Sequence, residues 1–270
     1  MSALRMRQVS VRLAAREILR SVDVDIEPGQ VVGVIGPNGA GKSTLLRAAL
    51  GLVPASGQIT LFGKPMPVMS EEARARLAAY VPQDRKVAWP LTIEAVIALG
   101  RLPHLAPMTP MSSRDRAIVD EIIREVELDD LRGRRINEIS GGEKARVLIA
   151  RAFAQDTPLL LADEPGAGLD PAHQISLLEL FRAKARKGRS VVVTMHDLTA
   201  AARWCDSLVL LHHGAVVASG PPLSVLTVER IAQVYACKAL IAQDEAGPIV
   251  MTTARIGDSG SSDTRPTEEQ

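Results

Sequence analysis

Hydrophobic and polar positions sort this chain into stretches of different rhythm. Residues 6–11, 22–26 and 58–62 alternate in polarity or carry β-branched side chains, the pattern of short strands, and Glu27-Pro28-Gly29 is a turn signal. Val31–Ile35 is a near-continuous apolar run, which predicts a strand buried on both faces. A glycine-rich loop follows, then a helix over residues 42–50. From 93 to 131 there is no good strand pattern, and Ile118, Ile122, Ile123 and Val126 recur at helical spacing. Two further buried strands, 159–163 and 190–194, each precede an amphipathic helix. This strand–helix–strand rhythm predicts an α/β fold with a mostly parallel sheet. A hairpin over 208–211 and 216–218 turns at His213-Gly214, and a helix over 228–235 closes the periodic part of the chain. From Gly257 onward polar residues displace apolar ones, as in a solvated tail.

Composition narrows the class. The chain has 270 residues, 46% hydrophobic and 23% charged, so it can bury a core. Lys and Arg number 32 against 31 Asp and Glu, a net charge of +1, which argues against broad adhesion to nucleic acid or a membrane surface. Aromatic residues make up only 3%, too few for stacking platforms along a single strand. Cys205 and Cys237 are the only cysteines and fit a reducing compartment. The apolar runs fall far short of the roughly 20 residues a membrane helix needs. Arg5, Arg7, Arg12 and Arg16 interrupt any signal-like apolar core. A protein that stays inside the cell is expected, with other chains supplying any membrane spans.

Gly36-Pro37-Asn38-Gly39-Ala40-Gly41-Lys42-Ser43-Thr44 satisfies the P-loop pattern in full, between a predicted strand and a predicted helix. Its glycines let backbone N–H groups turn inward as a cup for phosphate oxygens, and the helix aims its positive end at the same point. Lys42 then reaches the β- and γ-phosphates, and the Ser43 hydroxyl ligates Mg²⁺. The buried strand 159–163 places Asp163 at the carboxyl edge of the sheet, where it can hold the hydration shell of the metal. Glu164, one residue on, points elsewhere and can orient an attacking water.

With these residues in place the chain resembles the ATP-binding cassette family, the ATPases of ABC transporters. Ile139-Ser140-Gly141-Gly142-Glu143 is similar to the family signature, with Glu143 where Gln is commonest and Arg146 behind it. Gln83 matches the Q-loop glutamine, Gly168-Leu169-Asp170 the D-loop and His196 the switch histidine. Ser140 and Glu143 are also spaced as a capping box opening a helix, while Gly141-Gly142 leaves amides open to an anion. The resemblance implies a P-loop NTPase core with an N-terminal antiparallel β subdomain and an inserted α-helical subdomain. It implies one ATPase domain over 1–254, with the helical insert over about 84–156 and residues 255–270 a disordered tail.

The resemblance further implies ATP and Mg²⁺ as ligands. The nucleotide would be held by Gly36–Thr44 and Gln83 of one chain, and the metal by Ser43, Gln83 and Asp163. Lys42, Glu164 and His196 would be catalytic, and Asp170 would serve in the D-loop. Ser140, Gly141, Gly142 and Glu143 would meet the γ-phosphate held by a second copy, so that the functional unit is a head-to-tail homodimer. The aromatic residue that usually stacks on adenine is replaced: its position falls on Leu13, with Arg16 nearby. Residues 99–104, 170–174 and 196–202 look like strings of the subgroup that imports iron–siderophore, haem or cobalamin. Expected partners are membrane permease subunits and, indirectly, a substrate-binding protein, with no nucleic acid; the expected place is the cytoplasmic face of the inner membrane. A zinc or manganese importer, or an ATPase without a transport role, are the alternatives. Trp89, Pro90, Leu91, Leu102 and Pro103 are expected to form a groove for a permease helix. Outside the motifs, His212 and His213 are expected to face opposite sides of a strand, the basic run 182–189 to be solvated, and Cys205 to sit in the core.

Overall fold

The computed structural model describes residues 1–85, 87, 89–106 and 108–256. The chain opens with two antiparallel strands, β1 (Leu4–Leu13) and β2 (Arg16–Ile26), then enters the central sheet at β3 (Val31–Ile35). After α1 (Lys42–Ala49) it returns to the first sheet as β4 (Ser56–Leu61) and β5 (Lys64–Pro65), giving the order β2-β1-β4-β5. A short α2 (Glu71–Leu77) leads into β6 (Ala78–Val81). The chain then leaves the sheet for α3 (Ile93–Ala98), α4 (Ser113–Glu125) and α5 (Gly141–Ala154), and comes back at β7 (Leu159–Ala162), hydrogen-bonded in parallel to β6.

The remaining core alternates: α6 (Pro171–Arg186), β8 (Ser190–Thr194), α7 (Leu198–Trp204), β9 (Ser207–His212) and β10 (Ala215–Gly220). The six-stranded order is β10-β9-β3-β8-β7-β6, parallel except at β10. Helices α8 (Pro222–Val225) and α9 (Val228–Tyr235) follow, then a separate ribbon of β11 (Cys237–Asp244) and β12 (Gly247–Arg255). Strands β1, β2 and β4 mix exposed and buried positions, whereas β3, β7 and β8 are covered on both faces and buried throughout.

The central sheet divides two apolar cores. Val31, Ile35, Leu160, Val191 and Leu208 face a core shared with α3–α7, whereas Val32, Val34, Leu161, Val192 and Leu211 face one shared with α1 and the antiparallel sheet. The period-2 alternation of side chains along a strand is the cause. Helix starts are set by side-chain caps: Ser112 with Asp115 for α4, Ser140 with Glu143 for α5, Asp170 followed by Pro171 for α6. Arg101 braces the helical insert. It is buried, donates to Asp115 Oδ1 at 2.9 Å, and donates to the Ala154 carbonyl at the end of α5 at 2.8 Å.

Three sequence expectations need correction. The basic run is not uniformly solvated: Lys184 is buried, paired with Glu125 and set over the Phe153 ring, and Arg189 pairs with Asp156. The His212 and His213 rings do not diverge; their centroids are 4.0 Å apart. Strand β9 ends at His212, and His213 turns with φ 49°, so strand alternation no longer applies. Periodic structure also continues past residue 235 into β11 and β12, which carries Arg255 within a strand; the rest of the expected tail, 257–270, lies outside the described residues. Cys205 is buried, as expected.

Candidate active site

Strand β3 ends at Ile35, and the next residues form the anion cup. Gly36 has φ +146°, and a side chain there would lie 2.2 Å from the Leu211 carbonyl, so only glycine lets the loop leave the strand this close to β9. Gly41, at φ 105°, caps α1 without a side chain, which leaves the first amides of the helix open. The turn between β9 and β10 braces the loop: Gly214 N donates to Ala40 O at 3.1 Å, and Arg20 N donates to Gly214 O at 2.8 Å. Tyr235, at the end of α9, also hydrogen-bonds the backbone of Gly36.

Lys42 is buried, and its Nζ donates to the carbonyls of Gly36 at 2.8 Å and Pro37 at 3.2 Å. Burial lowers its pKa, while the carboxylates of Glu164 and Asp163 act in the opposite direction. The ammonium is held folded over the cup by its own loop, at the place a phosphate would enter.

Strand register explains the next group of contacts. Ala162 lies beside Val193, so the following residues, Asp163 and Thr194, also lie side by side at the carboxyl edge. Thr194 Oγ1 donates to Asp163 Oδ1 at 2.9 Å, and Glu164 N donates to Thr194 Oγ1 at 2.7 Å. Asp163 is fully buried; it accepts from Ser43 Oγ at 3.0 Å and from the Tyr80 phenol at 3.4 Å. Tyr80 in turn hydrogen-bonds Arg47, which raises the pKa of that guanidinium. Neither Thr194 nor Tyr80 carries a signal in the sequence, because each is recognisable only through the strand beside it.

Glu164 has φ 48°, an unusual conformation for a residue with a side chain. Leaving the line of β7 there turns its carboxylate away from Asp163. Glu164 Oε2 accepts from Gln83 Nε2 at 2.9 Å, and its Oε1 lies 2.5 Å from His196 Nε2. The three side chains come from the ends of neighbouring strands β6, β7 and β8.

A cavity of about 600 Å³ opens over the cup, lined by Asn38 to Thr44, Gln83, Glu164, Arg16, Ile18 and the His213 turn, among others. Its walls take in Arg16 but not Leu13, which is paired with Arg16 across β1 and β2. Ser140, Gly141, Gly142, Glu143 and Asp170 stand outside this cavity. Ser140 Oγ accepts from Glu143 N at 3.2 Å, and Glu143 Oε2 accepts from Ser140 N at 2.8 Å, a closed capping box. Those bonds hold the Glu143 carboxyl below the usual carboxylate range. Asp170 caps α6 and hydrogen-bonds His173 Nδ1 at 2.6 Å.

An anion cup on a parallel sheet, with a histidine past the end of the neighbouring strand and an acid pair at the end of the strand beyond it, defines a P-loop nucleotide-binding protein. The chain belongs to the ABC transporter family, whose pattern matches residues 19–167. It is 41% identical over 259 residues to the cobalamin import ATP-binding protein BtuD of Halobacterium salinarum, covering 95% of this chain and spanning only 65% of that protein's length. It is 44% identical over 222 residues to the hemin import ATP-binding protein HmuV of Nocardia farcinica, covering 82% of this chain and 76% of that one. Its fold matches a solved metal-chelate type ABC transporter in an inward-facing conformation, with a TM-score of 0.81 at 24% identity over 94% of this chain and 98% of that one. At that identity the likeness is one of fold.

Proposed function

We propose that this chain is the ATP-hydrolysing subunit of an importer for a metal chelate such as cobalamin, haem or an iron–siderophore. The observation that carries the reading is the Glu164 carboxylate, held at the rim of the phosphate cavity between Gln83 and His196. The loop amides from Gly36 to Thr44 and the Lys42 ammonium would bind the phosphates of ATP. Glu164 would take the proton of the attacking water, which must lie in line with the leaving phosphate and within hydrogen-bond reach of its base. His196 would hold that carboxylate and the water in register.

Ser43, Asp163 and the Gln83 amide oxygen form an all-oxygen donor set, the kind Mg²⁺ takes. When bound there, Mg²⁺ would neutralise charge on the phosphate oxygens. The hydroxyl of Ser43 and the carboxylate of Asp163 are already 3.0 Å apart, and Thr194 keeps the carboxylate aimed at that point.

Ser140 to Gly142 lie outside this chain's own phosphate cavity, at the capped start of a 14-residue helix. The amides of Gly141 and Gly142, with the Ser140 hydroxyl beside them, would meet the γ-phosphate on a second copy, giving a head-to-tail homodimer. Membrane permease subunits would be its partners; among the described residues no helix is long and apolar enough to cross a membrane. Trp89, 70% exposed, and Leu102, 58% exposed, would receive it, whereas Leu91 packs partly against the core. The working position would be peripheral, on the cytoplasmic face, with a substrate-binding protein on the far side.

Two relatives, one a cobalamin import and one a hemin import ATP-binding protein, support the substrate class. Reconstitution with its permease in proteoliposomes tests it. ATP-dependent uptake of hemin or cobalamin is expected; uptake of free Zn²⁺ or Mn²⁺ instead would overturn the chelate class.

A further inference from the structure

Arg85 lies two residues past Gln83, yet its guanidinium serves carbonyls 56 to 82 residues away in the chain. It donates to Gly141 O at 3.3 Å, to Pro165 O at 3.4 Å and to Ala167 O. Gly141 is the first residue of α5, directly after Ser140. Pro165 and Ala167 belong to the turn that joins Glu164 to Asp170. Within that turn, Ala167 N bonds Glu164 O and Leu169 N bonds Gly166 O, each at 3.1 Å, so the turn is a stiff unit. Gly168, at φ +68°, turns the chain here through a conformation that residues with side chains rarely adopt. Planar guanidinium is the side chain suited to bridging several acceptors at once, with five donors in a fixed fork. Its pKa is lowered by burial, but arginine keeps its charge at any working pH.

We infer that Arg85 is a positioning residue that ties the segment after Gln83 both to the turn carrying Glu164 and Asp170 and to the start of the helix opened by Ser140. The inference rests on the ATPase reading above. It means that one side chain, in the segment flanking the surface proposed for the permease, sets the placement of elements on both halves of the composite site. Arg85 is not among the residues lining the phosphate cavity, so its loss should misplace Glu164 and Gly141 without removing a phosphate contact.

The test uses the full chain with Arg85→Ala and Arg85→Lys beside Lys42→Ala. ATP affinity at equilibrium, kcat and KM, and amide hydrogen exchange over residues 141–144 and 165–170 are measured. For Arg85→Ala we expect ATP affinity within about twofold of the parent and kcat lower by roughly tenfold, the scale of a lost charge-assisted hydrogen bond. Exchange over both segments should quicken. Arg85→Lys, a single ammonium without the fork, should fall between and guards against a poorly folded alanine variant. Parent-like kcat with unchanged exchange in Arg85→Ala would overturn the tie, as would a fall in ATP affinity that matches the fall in kcat. A parent chain that neither binds nor hydrolyses ATP would instead remove the ATPase reading itself, so the two failures are told apart.

Discussion

His196 Nε2 lies 2.5 Å from Glu164 Oε1, and this contact joins the carboxyl ends of two adjacent parallel strands. It fixes which way the carboxylate points. Glu164 has left the strand at φ 48°, and Gln83 holds its other oxygen at 2.9 Å. Asp163, one residue earlier, is buried among the hydroxyls of Ser43 and Thr194 and the Tyr80 phenol. Two neighbouring acids thus face different partners, one suited to a metal shell and one to a water.

Lys42→Ala should lower ATP affinity at least tenfold and abolish measurable hydrolysis. The ammonium now rests on the carbonyls of Gly36 and Pro37, so a cation is preplaced where the β- and γ-phosphates would sit. Equilibrium binding of a fluorescent ATP analogue checks it, and parent-like affinity and turnover would remove the P-loop assignment.

Arg101→Ala should destabilise the chain by about 3–5 kcal/mol, because it strands the buried Asp115 carboxylate and the Ala154 carbonyl. Urea unfolding measures this. The same pair predicts an acid limb. The Ser112 hydroxyl first, and then Arg101, hold the Asp115 carboxyl below its ordinary range. A depressed folded pKa contributes stability above the unfolded pKa and loses it as pH falls through the folded value. Stability should therefore drop as pH falls below the ordinary aspartate range, and the drop should be shallower in Arg101→Ala.

Cys205 should resist iodoacetamide at pH 8 in the native state. Burial pushes its thiol up to about 12, leaving almost no thiolate, whereas Cys237 is only half-buried. Peptide mapping after labelling should find Cys237 modified, and Cys205 modified only once urea is added. Native labelling at Cys205 would contradict its place in the core.

What was legible in the sequence was local. The P-loop and its flanking strand and helix are contiguous, and the Ser140–Glu143 box needs only three residues of spacing. Strand β6 was harder: Ala78-Ala79-Tyr80-Val81 is short, half alanine, and begins at the residue after a helix. The β11–β12 ribbon lacks a clean period because only Val250 is fully buried along it. Lys184 looks like one more cation in a basic run until Glu125, 59 residues earlier, is beside it. Arg85 is the same kind of case, since its three acceptors lie on loops that only the fold brings together.

In the proposed mechanism Glu164 is the base of a site completed by Ser140–Gly142 of a second copy. Glu164→Gln keeps the size and the hydrogen bonding of the side chain but removes the base. Sizing chromatography of that variant, with ATP, with ADP and without nucleotide, tests the claim most directly. Hydrolysis should fall by at least 100-fold, on the scale of a lost general base, while ATP stays bound. The variant should elute as a dimer with ATP and as a monomer otherwise, and adding Ser140→Arg should abolish the shift. Turnover at the parent rate, or a variant that binds ATP tightly and stays monomeric in its presence, would contradict the account.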